Sequence, residues 1–333
     1  MVSATTHPTL LDLASRLDPD DTIADVVEML DESTDIVKDM VIQEGNLITG
    51  YQSVQRTEIP VPTWRGINQL VQPTKSATVK IVDTCGMLEA YAEVDKAEAD
   101  FNNNSAQWML SEHQPHLEGI AQKMSDSIIA GDLDVDPKSI NGLRKRYSAS
   151  ASGSTETSDN VIDGGGSTSN SMRDIWLCCW GPNSMFGIVP KGSKTGIQVT
   201  NLGRQTRQES GGMMEVYRTH YRVDIGLHVR NWHAAAVRIA NVNAATLTKT
   251  GSTGADIIDL MTQALEVIKN PGLGRCVFYL PRLLRSFLRR QIANKVASST
   301  LTEDKVAGKT VMFFDDIPVR RLDALDTAYT TKV

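Results

Sequence analysis

The sequence predicts an α+β fold, because segments of three different periodicities follow one another along the chain. Residues 50–85 are rich in Thr, Val, Ile and Pro and predict an extended hairpin. Residues 105–131 predict a long helix, and residues 217–230 alternate apolar and polar side chains as a half-buried strand does. A composition of 41% hydrophobic and 22% charged residues over 333 residues is ordinary for a globular protein with a substantial core.

The N-terminal part of the chain predicts an arm. Residues 9–17 and 20–32 are expected to form short helices separated by Pro19, and the acidic start of the second suits the positive end of a helix dipole. Apolar residues recur at helical spacing in this second segment: Ile23, Val26, Val27 and Leu30. The sequence shows neither a signal-peptide pattern nor a long apolar run, so we expect a protein that stays in the cytoplasm.

The hairpin predicted for residues 50–85 has little core of its own. Pro60, Pro62 and Pro73 exclude a helix and a central strand there. Since a two-stranded ribbon is marginally stable in water, we expect it to lie on another part of this chain or on another chain.

The long helix is expected to begin at Asn104 or Ser105 and to end at Gly131, with a bend or restart at Pro115. Unbroken, it would span about 40 Å. Its apolar positions are Trp108, Leu110, Leu117, Ile120, Ala121, Met124, Ile128 and Ile129.

The C-terminal half predicts a flexible loop followed by alternating strands and helices. Residues 148–171 are rich in Ser, Gly and Thr and predict a loop without secondary structure. Two strands are expected in IWLCCWGPNSMFGIVP, helices around residues 257–268 and after Pro281, and a strand between them at RCVFYL. The stretch VMFFDDIPVRRLDAL closes the chain as two short strands across a turn, with Pro318 at an edge.

The sequence contains no convincing catalytic or ligand-binding pattern. GIVPKGSK, residues 187–194, has glycines at P-loop spacing but Ser-Lys where Lys-Ser or Lys-Thr is required. His113 and His116 lack the H-E-x-x-H spacing and a third ligand, so a solvated helix start is expected. Histidines expected at the surface are His220, His228 and His233. The four cysteines, Cys85, Cys178, Cys179 and Cys276, show no zinc spacing and are expected to be reduced.

Charge argues against a protein that coats nucleic acid, because the net charge is −6. One local exception is a basic helix face formed by Arg282, Arg285, Arg289 and Arg290. A partner protein or enclosed nucleic acid is one use for it, and solvated surface arginines are the alternative.

Three stretches resemble one protein family. PTWRGIN (62–68) and CGMLEAYAEVDKAEADF (85–101) resemble the extended loop and the start of the spine helix in tailed-bacteriophage major capsid proteins with the HK97-like fold. DDIPVRRLDAL resembles their C-terminal strand pair. The resemblance implies an N-terminal arm (1–47), an extended loop or E-loop (48–87), a peripheral domain with the spine helix (88–147), the flexible loop (148–171), an axial domain with peripheral sheet strands (172–306) and C-terminal peripheral strands (307–333).

The resemblance also implies a function: a non-enzymatic shell subunit that assembles into hexamers and pentamers around double-stranded DNA. It implies localisation in the virion after assembly in the host cytoplasm. The implied partners are further copies of the chain, a portal, a scaffold and a cement protein, without cofactor, metal or membrane. Alternatives are an encapsulin-type compartment enclosing an enzyme, and an enzyme built on an α+β fold.

Ten residues are the predicted inter-subunit contacts, through apolar burial and charge pairing. They are Arg56, Glu58, Ile59, Val61, Trp64, Arg65, Lys75, Lys80, Arg320 and Arg321. Some related shells join neighbours by a Lys–Asn isopeptide bond. Lys75 and Lys80 lie in the corresponding loop, but no motif identifies a partner Asn and Glu, so we expect no cross-link.

Overall fold

The computed structural model describes residues 34–100, 105–149, 157–167, 171–193, 195–209, 211–249, 254–294, 301–306 and 309–329. Its strands are β1 (Ile42–Glu44), β2 (Gly50–Glu58), β3 (Ala77–Thr84), β4 (Gly86–Asp95), β5 (Val161–Asp163), β6 (Met172–Trp180), β7 (Met185–Val189), β8 (Gln198–Glu209), β9 (Gly212–Val229), β10 (Ala236–Asn243), β11 (Arg275–Leu280), β12 (Leu301–Val306), β13 (Lys309–Phe314) and β14 (Ile317–Arg321). The predicted helices at 9–17 and 20–32 lie outside the described residues.

The α-helices in these ranges are α1 (Asp35–Asp39), α2 (Lys96–Ala99), α3 (Ser105–Ala130), α4 (Leu143–Arg146), α5 (Trp232–Ala235), α6 (Ile257–Val267) and α7 (Arg282–Asn294). Short 3₁₀ turns occur at Ser158–Asn160, Pro271–Leu273 and Asp323–Leu325. In the part of the chain that the structure describes, no helix combines the length and hydropathy needed to cross a bilayer.

Most strands belong to one large mixed sheet with two regions. One region follows the order β12-β13-β14-β11-β6, with β10 on the other side of β6 and β5 beside β10. The other is built around β9, which pairs with β4 along one edge and with β8 and β7 along the other. A bridge between Trp180 and Met185 joins the two regions. Strands β2 and β3 form a separate two-stranded ribbon, as the sequence predicts for the hairpin.

Helices pack on the sheet in two places, and each place has its own core. The spine helix α3 buries Ile120, Met124 and Ile128, four residues apart on one face, against a cluster that includes Tyr221 and Val223 of β9. Helices α6 and α7 bury a second cluster against the other sheet region, including Ile257, Met261, Leu284, Leu288, Phe278 and Phe314. The predicted long helix is therefore confirmed, and it continues through Pro115.

The spine helix ends where the sequence predicts. Gly131 donates its N–H to the carbonyl oxygen of Ser127, four residues earlier. A side chain at Gly131 would collide with the carbonyl oxygens of Ser127 and Ile140, so glycine is required for this close approach.

The C-terminal hairpin is confirmed, but its position in the sheet differs from the prediction. Asp315 and Asp316 form its turn with positive φ angles of 49° and 64°, which matches a tight β-hairpin turn. Strand β14 is not an edge, because it lies between β13 and β11. Pro318 pairs in register with Phe313, while the parallel pairing with β11 begins one residue later, at Val319. The prediction that Pro318 blocks an edge is therefore wrong.

The predicted flexible loop, residues 148–171, contains secondary structure. Residues 158–160 form a 3₁₀ turn, and β5 pairs with β10 in parallel. The buried Asn160 amide donates to three backbone carbonyl oxygens, those of Trp232, His233 and Ala236, at 3.1, 3.3 and 2.8 Å. These tertiary hydrogen bonds order a segment whose composition alone favours a loop.

The expectation of four reduced cysteines is corrected as well. Cys179 on β6 lies directly opposite Cys276 on the antiparallel strand β11, and a disulfide joins them. Cys85 and Cys178 are free. This disulfide depends on the pairing of two strands that are far apart in the sequence, so the spacing of the cysteines along the chain does not predict it.

Candidate inter-subunit contact site

The predicted E-loop ends in an apolar tip that touches little of its own chain. Strands β2 and β3 carry it, and residues 59–76 between them form no strand. The relative exposure is 104% for Trp64 and 95% for both Ile67 and Leu70. Ile59 and Val61 are also largely exposed. Contiguous apolar surface of this kind, on a projecting ribbon, marks an interaction surface.

A short turn shapes this tip. Arg65 donates its Nε–H to the carbonyl oxygen of Gln69 at 2.9 Å, and the Gln69 side chain accepts from the backbone N–H of Gly66 at 3.1 Å. Asn68 takes up a positive φ of 64° within the same turn. These hydrogen bonds tie the Arg65 side chain to the backbone of its own turn, while the neighbouring apolar side chains stay exposed.

Four further predicted contact residues carry charge along the ribbon. Arg56, Glu58, Lys75 and Lys80 are exposed, and within the described ranges none has an ion-pair partner. In a single subunit they contribute little to stability because solvent screens them. They are available for charge pairing across an interface.

The base of the E-loop, by contrast, is fixed by a buried charge cluster that sequence reasoning missed. Asp83 on β3 is 6% exposed and accepts from Arg146 Nη2 at 2.8 Å. Its other oxygen lies 2.7 Å from Nδ1 of His228, which is fully buried. Burial alone would raise the pKa of Asp83, but the hydrogen bonds and positive charge of His228 and Arg146 outweigh it and lower the pKa below its usual value.

The surface position predicted for His228 is therefore wrong. The alternation of β9 holds for its inward face, but β9 is buried on both faces towards its C-terminal end. The E-loop base covers the second face there: the Tyr51 ring lies 4.7 Å from the His228 ring and 5.2 Å from the Phe186 ring. No local pattern identifies the cluster, because its members come from three separate segments.

Two more contacts hold the loop at this end. The amide of Gln55 on β2 donates to the carbonyl oxygens of Val229 and Arg230 at 3.0 and 2.6 Å. Asn46 exchanges two hydrogen bonds with the backbone of Gln52, at 2.7 and 2.8 Å. The loop is thus anchored over its first residues, and its distal half projects from the body.

Arg320 and Arg321 are engaged within the chain rather than facing solvent alone. Arg320 Nε lies 2.8 Å from the buried Asp39 carboxylate, which also accepts from Tyr279 at 3.0 Å. Arg321 binds Asp323 with two nitrogens, at 2.8 and 2.5 Å. Reversing the charge of either arginine would place a second acid beside an almost fully buried carboxylate, Asp39 or Asp323.

The other singled-out residues show no shared reaction centre. His113 and His116 pack on the Tyr221 ring at centroid distances of 5.8 and 6.0 Å, rather than forming a solvated helix start. Within the described residues, no group of three metal-ligating side chains converges. Among the described residues, the element that follows β7 and this glycine-containing segment is strand β8, not a helix.

Comparisons with known proteins agree with this architecture. The family model for the major capsid protein GP7 matches residues 18–331. A chain in the cryo-EM structure of bacteriophage epsilon15 is 32% identical, with a TM-score of 0.81 over 100% of this chain and 99% of that chain. No curated protein matches the chain.

More distant structures were also found. The capsid chain of bacteriophage JBD30 is 11% identical, with a TM-score of 0.49 over 90% of this chain and 93% of that chain. The SrpI encapsulin of Synechococcus elongatus is 10% identical, with a TM-score of 0.44 over 71% and 97%. The GP7 family model, by contrast, spans most of the chain. The chain belongs to the major capsid protein GP7 family, has the HK97-like fold, and is a structural subunit of a tailed-bacteriophage capsid shell.

Proposed function

We propose that copies of this chain form hexamers and pentamers of an icosahedral shell, in which each E-loop lies on a neighbouring copy. The observation that carries the proposal is the apolar tip, Trp64, Ile67 and Leu70, which is fully exposed on a ribbon anchored at its base to other described residues. A lone subunit gains nothing from exposing these side chains to water. A neighbouring copy that covers them removes this apolar surface from water, and that burial stabilises the contact between the two copies.

The charges of the ribbon complement this apolar contact. Arg65 lies in the apolar tip itself, and Arg56, Glu58, Lys75 and Lys80 lie along the ribbon that carries it, so the contact surface combines apolar and charged groups. Apolar burial supplies affinity, while charge pairs orient the approach and reject wrong registers. Such contacts are individually modest, so misplaced subunits can dissociate during assembly, and their number makes the closed shell stable.

The shell encloses double-stranded DNA without binding it sequence-specifically. A net charge of −6 supports this role, because tight coating of phosphates needs a basic surface. A portal, a scaffold and a cement protein are the further partners we propose. We also propose assembly in the host cytoplasm, no enzymatic activity, and no covalent bond between neighbouring subunits.

Expression of the chain alone, followed by electron microscopy of sedimented particles, tests the assembly proposal. Closed shells with five- and six-fold capsomers are expected, and a species that remains monomeric or dimeric at every concentration would contradict it. Denaturing electrophoresis of mature shells tests the absence of cross-links. A single band at the subunit mass of 36.5 kDa is expected, and a ladder of covalent multimers would overturn that part of the proposal.

A further inference from the structure

The disulfide between Cys179 and Cys276 joins two parts of the large sheet that are far apart in the sequence. Strand β6, which carries Cys179, lies between β10 and β11. Strand β11, which carries Cys276, pairs on its other side with β14. The two cysteines are 97 residues apart, and the chain between them includes β7, β8, β9, β10 and α6. The bond therefore ties the C-terminal strands to β6 across a large part of the fold.

The two sulfur atoms of this bond differ in their access to solvent. Cys179 is fully buried in the core beneath α6 and α7, whereas Cys276 is half-buried at the start of β11. The Sγ atom of Cys276 lies 3.7 Å from the carbonyl oxygen of Pro271, which is exposed. A small thiol or disulfide in solution therefore reaches Cys276 first, and Cys179 reacts only with Cys276.

The two free cysteines are poor competitors for this pairing. Cys178 precedes Cys179 in β6, but successive side chains of a strand point to opposite faces, and Cys178 is buried in the core on which α3 packs. Burial raises the pKa of the Cys178 thiol, and burial raises the pKa of Cys85 to about 11. Because the thiolate is the species that attacks a disulfide, Cys276 and Cys179 are the pair that the fold favours.

A capsid subunit meets two redox environments. Disulfides are rare in the cytosol, where thiols are kept reduced, and they persist in oxidising surroundings such as virion surfaces. A chain that folds and assembles in the host cytoplasm, as we propose above, does so while its thiols are reduced. The same chain enters an oxidising medium when the particle is released.

We propose that the Cys179–Cys276 disulfide is a redox switch, open while subunits assemble and closed after the particle leaves the host cell. This inference rests on the proposed assembly in the cytoplasm. The oxidant is a low-molecular-weight disulfide such as oxidised glutathione. The Cys276 thiolate attacks one of its sulfur atoms and releases one glutathione, and Cys179 then attacks Cys276 Sγ and releases the second. The two cysteines lose two electrons and two protons, which leave as two glutathione thiols.

Closing the switch should stabilise the subunit only after assembly. A bond between strands so far apart in the sequence restricts the unfolded chain, and this restriction favours the folded state. The unfolding temperature of the oxidised subunit should therefore be about 5 °C higher than that of the reduced subunit.

Counting free thiols by mass spectrometry tests the proposal on the wild-type chain. Cells that express the chain are denatured directly in N-ethylmaleimide, and purified protein is denatured in the same reagent after incubation with oxidised glutathione. All four cysteines should be labelled in the cells, and only Cys85 and Cys178 after oxidation. Labelling of only two cysteines in the cells, or of all four after oxidation, would overturn the proposal.

Thermal unfolding of the oxidised and reduced protein tests the stabilising role. Oxidised wild-type protein should unfold about 5 °C above protein treated with dithiothreitol. Cys276→Ser should abolish this difference, and the matched control Cys85→Ser, which changes a free cysteine, should keep it. Equal unfolding temperatures for the two wild-type forms would overturn the stabilising role. Thiols are counted on whatever species the chain forms, so a failure of shell assembly, seen by electron microscopy, is a separate result from a failure of the switch.

Discussion

Trp64→Ala is the sharpest test of the E-loop contact, because this side chain contributes nothing to the fold of its own subunit. Its relative exposure of 104% means that its whole surface is available to a neighbour. An aromatic side chain of this size buries about 200 Å², worth at most about 5 kcal/mol at about 25 cal/mol per Å². Ordering costs and incomplete burial reduce the expected loss to about 2–4 kcal/mol, the range of interface hot spots.

The variant should therefore separate folding from assembly. The free energy of unfolding of the subunit should change by less than about 0.5 kcal/mol, as for other exposed substitutions. The lowest concentration at which shells form should rise by about 30- to 1000-fold, the equivalent of 2–4 kcal/mol.

Sedimentation and electron microscopy over a concentration series measure the assembly threshold of the Trp64→Ala variant, and denaturant titration measures the folding free energy. Trp64→Phe is the matched control and should assemble close to the wild-type threshold, because it keeps most of the apolar area. If Trp64→Ala forms shells at the wild-type concentration, the tip is not buried in the interface, and the exposed-surface argument fails.

Three other outcomes follow from the ion pairs of the described chain. Asp83→Asn should loosen the E-loop base, raising amide hydrogen exchange in β2, because Arg146 and His228 lose a charged partner worth about 3–5 kcal/mol. Since the pKa of Asp83 is lowered in the folded state, the contribution of Asp83 to the free energy of unfolding is present above about pH 4 and is lost as the pH falls through the folded-state pKa. This dependence of stability on acid pH should be absent in Asp83→Asn. Arg320→Glu and Arg321→Glu should each lower the free energy of unfolding by several kcal/mol, since each arginine pairs with an almost fully buried carboxylate, that of Asp39 or that of Asp323. Denaturant titration measures the loss, and a change below about 0.5 kcal/mol in either variant would contradict the assignment.

Segments with strong local patterns could be predicted from the sequence. The spine helix, the E-loop ribbon, β9 and the C-terminal hairpin all follow from side-chain periodicity, proline positions and turn residues. Such signals are local, because the spacing of apolar residues along a helix or strand shows which of its faces is buried. The family resemblance rests on the same local stretches.

Contacts between distant segments could not be predicted in this way. Nothing near Asp83 shows that His228 and Arg146 surround it, and nothing near Cys179 shows that Cys276 lies opposite. The strand at 161–163 likewise depends on Asn160 bonding to carbonyl groups some 70 residues further along the chain. Each of these features changes the burial or the bonding partners of a residue, but the sequence pattern on either side of that residue stays the same.

The amino-acid sequence by itself determined the α+β class, the order of the main elements and the exposed character of the E-loop, because each depends on composition and spacing within a short window. Only the tertiary structure decided that the E-loop is anchored by a buried Asp–His–Arg cluster while its apolar tip stays free. The physical reason is that burial and charge pairing are set by which strands and helices become neighbours. Which strands become neighbours depends on the whole chain: Cys179 on β6 and Cys276 on β11 lie opposite each other although they are 97 residues apart in the sequence.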